Sequence, residues 1–338
     1  MLALVALAVM APAELRLPRM ARCPDAILDG KSVCVAYGDG TNGWFFRTGG
    51  ERRIRINSED GTVTAGGERG PKVAVAEEAI CAAWQGDYRQ GPKVWFARSL
   101  DKGKSFEAQR NLVDGETPGL DEVAIAARGK QVAVFWLDGR GGQDASAPVT
   151  STIWYCLSTD SGKTFGPNKQ MGSSRTESPR TLCGLSARAP VRACSCCSLA
   201  VEFLDDDRIA ILYRSGIGNV RDIWEATGSP AANTWEAKPV TNSGWVFAGC
   251  PMDGPRMHGS ARAYSIDGSC YAVLGAEKPV RLGKGKYASV LPTGLATWQD
   301  DGTLYWRNLK SGENGLMPAG SNRAALIAGP EGYPLVVH

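Results

Sequence analysis

Three cysteines fall within four positions, Cys194, Cys196 and Cys197 in "VRACSCCSLAVEF", and Cys250 opens the later stretch "CPMDGPRMHG". Thiols so placed can do three kinds of chemistry. They can pair, as Cys183–Cys194 or Cys194–Cys250 stapling two long loops, or as a strained vicinal Cys196–Cys197 ring that would be redox-labile. They can bind a soft metal ion: thiolates from Cys194, Cys196, Cys197 and Cys250, with the imidazole of His258, suit Cu(I) or Zn(II). The thioethers of Met252 and Met257 beside them favour copper, although loop packing is the more ordinary role for both methionines. Finally, one thiol can act as a nucleophile with His258 as its base, but no third group that would orient the pair is identifiable. C-x-C-C is not a zinc-ribbon spacing, so the weight of the metal reading rests on whether the chain brings these loops together.

The elements that would do so are hairpins. An apolar strand, a short polar turn and a second apolar strand recur from Cys23 ("CPDAILDGKSVCVAYGDG"), Pro71, Asp121, Cys197, Arg256 and Asn322. Runs of four to six Val, Ile, Ala and Trp bounded by Gly and Asp are strands, and no amphipathic helix of three turns is present. Six such hairpins, each followed by material for outer strands, predict an all-β fold: a six-bladed β-propeller whose ring is completed by an N-terminal strand, "ELRLP", Glu14–Pro18. Residues 14–338 form one domain on this reading.

Aligning the hairpins sorts the cysteines. Cys34, Cys81 and Cys270 occupy a slot filled elsewhere by Ala133 and Ala210, so they read as small core residues, as does mid-strand Cys156. Counting back from that slot reaches the start of each innermost strand: Cys23, Gly70–Lys72, Asp121–Glu122, Cys196–Cys197, Met257–Gly259 and Asn322–Arg323. These positions are predicted to ring one end of the central channel, with Cys194 and Cys250 on the loops that enter it.

A second motif sharpens the fold. "SLDKGKSF" and "STDSGKTF" share S-x-D-x-G-x-[ST]-[FW], with a degenerate relative ending at Trp235. Asp101 and Asp160 would accept backbone N–H groups, the Gly would take the left-handed position and the aromatic would pin the turn; calcium or catalysis is the alternative use of the carboxylates. The chain resembles the sialidase-like (BNR, Asp-box) propellers in these repeats. In "CSCC" and "CPMDGP" it is similar to a secreted bacterial subgroup of them, with Ser198 where that subgroup has Pro. The resemblance implies the propeller fold and export. As an alternative to metal binding it implies an exo-sialidase-like glycoside hydrolase, which would need converging arginines, a Tyr nucleophile paired with a Glu, and an Asp acid. The family's Phe-Arg-Ile-Pro signature is absent. Arg140, Arg214, Arg256 and Arg323 are the arginines near the mouths of the hairpins, Tyr213 and Tyr264 the candidate nucleophiles, and Asp39, Asp87 and Asp138 the candidate acids. No Tyr–Glu pairing emerges, so no catalytic residue is assigned. A non-catalytic, disulfide-stapled binding scaffold is the third reading.

The bulk numbers agree with a globular exported protein. Of 338 residues 43% are apolar and 22% charged, and a net charge of +3 gives no reason to expect nucleic acid as a partner. "MLALVALAVMAPA", residues 1–13, reads as a signal peptide cleaved after Ala13, although it lacks a basic start; it is too short to span a bilayer. A periplasmic or secreted location follows, where ten cysteines are free to form disulfides. The expected partner is a metal ion, copper or zinc, or a small-molecule or glycan ligand at the propeller axis.

Overall fold

A computed structural model describes residues 11–50, 52–86, 91–141, 150–173, 189–318 and 323–338. The strands assemble into seven sheets, one more than the hairpin repeat predicts. Blades 1 to 6 each hold a consecutive four-stranded meander, beginning at Arg22–Asp29, Lys72–Val75, Leu120–Arg128, Ala200–Phe203, Arg256–His258 and Lys286–Val290. Blade 7 is a three-stranded sheet in which Ala325–Ala328 pairs with Pro334–Val337, and Ala13–Leu15 lies parallel on the outer side of Pro334–Val337. Leading strands of successive blades touch one another, so they surround the axis.

Seven separate apolar clusters hold the ring, one between each pair of neighbouring blades, including blades 7 and 1. This explains why the second strands read as unbroken apolar runs. Gln131–Asp138 is buried at every residue after the first because both faces of its sheet are covered by neighbours. The outer strands of blades 1 to 3 are short, two residues each: Ile54–Arg55, Arg110–Asn111 and Lys169–Gln170.

The aspartate turns clip blade to blade. Asp101 accepts the Ser99 and Ser105 hydroxyls at 2.8 and 2.6 Å and the N–H groups of Lys104 and Ser105, both at 2.9 Å. Those bonds, the Ser105 hydroxyl foremost, hold its carboxyl down at about 2. Gly103 at φ 84° makes the turn, and Phe106 packs edge-on against Phe45 of blade 1. Asp160, Gly162 and Phe165 repeat the arrangement onto Phe96 of blade 2. In the degenerate copy Trp235 packs on Phe135 and Tyr155 of blade 3. Both aspartates serve the turn.

Candidate functional site

Each blade delivers a polar side chain to the end of the channel where its leading strand begins. Blade 1 brings Cys23, blade 2 Lys72 with Glu68 just before it, and blade 3 Glu122. Blade 4 brings Ser198, blade 5 Arg256, blade 6 Tyr287 and blade 7 Arg323. Three of these sit on β-bulges in left-handed conformations unusual for their residue types: Cys23 (φ 48°), Glu122 (φ 41°) and Tyr287 (φ 59°). A bulge re-aims the side chain that an unbroken ladder would send into a blade interface. Three at one pole mark it as a built site.

Glu68, fully buried, is the knot of this crown. Its carboxylate accepts the N–H groups of Ser198 (3.0 Å) and Gly254 (2.6 Å) and the Ser198 hydroxyl (2.8 Å), and it pairs with Arg256 (3.4 Å) and Arg323 (3.3 Å). Glu122 is the opposite case: it is 1% exposed and, among the described residues, neither carboxyl oxygen has a hydrogen-bond partner. Burial, with Glu68 and Asp121 beside it, drives its carboxyl well above the usual range. Burial and Glu68 also lift Asp253 to about 6, and burial with the surrounding acids lifts the Tyr287 phenol to about 12. Burial raises the Cys23 thiol as well.

The sulfur centre adjoins this crown through Ser198. The Sγ atoms of Cys194, Cys196 and Cys197 lie within 4.8 Å of one another, with Cys194 at 3.7 Å from Cys196 and 3.6 Å from Cys197. Cys196 is joined to Cys250 in a disulfide. Cys194, Cys196 and Cys197 are buried, whereas Cys250 is exposed on its loop, and Met252 packs against the group. Cys194 is placed by strand pairing: Arg192–Cys194 runs antiparallel to the start of Thr150–Ser158, Cys194 opposite Thr150.

Two buried arginines stand beside the sulfurs. Arg214 donates to the carbonyls of Asp253, Arg221 and Ser265; Arg221 donates to those of Phe247 and Gly249, and among the described residues its Nη1 has no partner. Among the described residues neither forms an ion pair with a carboxylate. Together with the Cys197 thiol, which donates to Cys194 and is the largest influence, they hold Cys194 down at about 7. Cys197 is pushed up, as the donor of that bond and by burial.

The structure redistributes several predicted residues. The Cys194–Cys250 and vicinal Cys196–Cys197 pairings are not formed; Cys196–Cys250 takes their place, because the Cys250 loop meets the second cysteine of the cluster. Cys183 and Asp87 lie outside the described residues, as do residues 1–10 of the expected signal segment. His258 is not part of the sulfur group. It ends the three-residue leading strand of blade 5, where its Nε2 sits 3.2 Å from the Ser289 hydroxyl and the ring lines the axial channel, a cavity of about 510 Å³. Burial depresses its pKa to about 4. Met257 belongs to the apolar cluster between blades 4 and 5. Cys34, Cys81, Cys156 and Cys270 are buried free thiols, as expected, although Cys270 lies on the third strand of its blade and not in the second-strand slot of Cys34 and Cys81.

The predicted tyrosine nucleophiles and the described aspartate acids are spent on structure, whereas Arg256 and Arg323 reach the crown. Tyr213 and Tyr264 are 0% and 3% exposed within blade interfaces. Asp138 bonds Trp136, Arg140 and Thr117; Asp39 closes a turn with Thr41, Asn42 and Trp44. Glu68, Asp253 and Tyr287 were missed. Their signals are single residues in loops or in the unrecognised sixth blade.

No family model and no curated protein matches the chain. Among solved structures, a Hadza microbial sialidase is 14% identical, covering 89% of this chain and 66% of that one, with a TM-score of 0.51. An α-L-arabinofuranosidase from Fusarium graminearum (12% identity, 88% and 91% coverage, TM-score 0.48) and the six-bladed Aleuria aurantia lectin (13%, 89% and 96%, 0.47) also match. At such identities the likeness is one of fold: the chain is a β-propeller.

Proposed function

We propose that the sulfur centre binds a soft metal ion, Cu(I) or Zn(II), through Cys194, Cys196, Cys197 and Cys250 after an external dithiol has reduced the Cys196–Cys250 disulfide to two thiols and been oxidised to its own disulfide. The observation that carries this is the convergence of these cysteines beside two buried guanidiniums that, among the described residues, have no carboxylate partner. The donor set fits. With metal–sulfur bonds of about 2.3 Å, tetrahedral sulfurs stand about 3.8 Å apart, close to the 3.6 and 3.7 Å separations here. Four thiolates on Zn²⁺, or three on Cu⁺, leave a charge of about −2 that two arginines neutralise. Met252 supplies a thioether neighbour, which favours copper. Export, supported by the N-terminal apolar segment, would place the site in an oxidising compartment, where metal protects unpaired thiols.

The test is metal analysis of purified protein with thiol counting before and after chelation. One equivalent of copper or zinc, with new reactive thiols after chelation, is expected. No metal and no additional thiols would leave the protein a disulfide-stapled scaffold.

A second reading, glycoside hydrolysis on an acidic sugar, is favoured by the crown. There a Tyr phenol stands among carboxyls near two arginines. Turnover of a fluorogenic sialoside, lost in Tyr287→Phe and Arg323→Ala, would establish it; no turnover by wild-type protein excludes it.

A further inference from the structure

The four sulfurs run from an exposed residue to a buried group. Cys250 is exposed, Cys196 is bonded to it and buried, and Cys194 and Cys197 are fully buried; Cys194 Sγ lies 3.7 Å from Cys196 and 3.6 Å from Cys197, the three inner sulfurs forming a triangle within 4.8 Å. Both separations are contact distances for sulfur, close enough for one thiol to reach the next sulfur by a side-chain rotation. The geometry points to a disulfide relay, in which one S–S bond steps along these sulfurs between the surface and the interior and takes an external thiol at Cys250. This goes beyond metal binding: it uses the same sulfurs but needs no metal.

The steps balance. In the first, Cys194 attacks Cys196; the Cys194–Cys196 bond forms, the Cys196–Cys250 bond breaks, and Cys250 leaves with the proton that Cys194 gives up. In the second, Cys197 attacks Cys194; a Cys194–Cys197 bond forms and Cys196 leaves as the thiol. Neither step changes the number of disulfides, so no oxidant is required. At the surface, an external thiol attacks Cys250 Sγ of the Cys196–Cys250 bond, forming a mixed disulfide and releasing Cys196 with the transferred proton. Arg214 and Arg221, buried beside the inner sulfurs, supply positive charge wherever a thiolate develops. The substrate class is therefore a thiol able to reach the sulfur of the exposed residue Cys250, and the buried pair is where the oxidising equivalent is kept.

Metal-free protein, dialysed against chelator, is exposed to reduced glutathione, quenched in acid, alkylated and mapped by mass spectrometry. Wild-type protein should show glutathione on Cys250. It should also show a second population with Cys250 alkylated and two of Cys194, Cys196 and Cys197 linked. Cys194→Ser should keep the adduct and lose the second population at least tenfold. Equal second populations in the two proteins, or Cys250 found only bonded to Cys196, overturn the relay. Should Cys194→Ser fail to fold, Cys197→Ser carries the test, since it retains the first step and must still free Cys250. Because the sample holds no metal, loss of exchange here and loss of metal in the earlier assay are separate results.

Discussion

At the scale of single residues the centre is governed by where charge can reside. Cys194 keeps a low pKa chiefly because Cys197 donates to it. In Cys197→Ala the Cys194 titration should therefore move up towards the ordinary thiol range, and its alkylation by iodoacetamide at pH 7 should slow about tenfold. An unchanged rate profile would show that the thiol–thiol contact does not set its reactivity. His258 works the other way. Its ring is neutral in the fold, with a pKa depressed by burial to about 4. The unfolded chain takes up that proton as pH falls below about 6.5, so stability is full above that pH and is lost as pH drops towards 4. The loss is up to about 3 kcal/mol. His258→Gln, which can still bond Ser289, should flatten the melting temperature across this window; an equally steep dependence would place the sensitivity elsewhere.

At the scale of elements, the bulges explain both what was legible in the sequence and what was not. The alternation of apolar strand and polar turn announced the blades. The positions counted back from the small-residue slot put Cys23, Lys72, Glu122 and Arg323 on the channel rim, where they are. Blade 5 defeated the count. Its leading strand is three residues long, so the hairpin visible in the sequence, Ala261–Ile266 with Ser269–Leu274, is the second and third strands, and Cys270 lies one strand further out than Cys34 and Cys81. That shift moved His258 onto the rim in place of Arg256. Blade 6 then went unseen, because its leading strand "KYASV" is interrupted by a bulge and offers no apolar run. The same device that hid Tyr287 presents it to the site. Left-handed backbone at a non-glycine residue costs about 1 kcal/mol, and a buried carboxyl without partners costs more. Glu122→Gly should therefore raise stability by about 1–2 kcal/mol in denaturant titrations while removing whatever the crown does; a fall in stability would mean that Glu122 holds the pole together.

At the scale of the molecule, the pole depends on the whole ring being tight, because Glu68 is held by groups from blades 4, 5 and 7 at once. Blade 7 is the thinnest member, and its outer strand comes from the other end of the chain. Leu17 N–H donates to the His338 carbonyl at 2.7 Å and His338 N–H to that of Leu15 at 3.1 Å. Leu15 and Leu17 pack on the cluster between blades 7 and 1. Each such half-buried leucine is worth roughly 1 kcal/mol, and the hydrogen bonds add about as much again. A chain beginning at Pro18 should consequently lose about 3 kcal/mol, lowering its melting temperature by roughly 5 °C. It should also expose the edge of Pro334–Val337 to pairing with other chains. The loss should be felt at a distance: Arg323 leads blade 7, so loosening that blade weakens its hold on Glu68 and, through Ser198, on the sulfurs. Thiol counting in the truncated protein should show Cys194 and Cys197 reacting faster than in the full chain. Identical kinetics, with the melting temperature lowered as expected, would mean that blades 4 and 5 alone hold the sulfur centre and that the ring merely carries it.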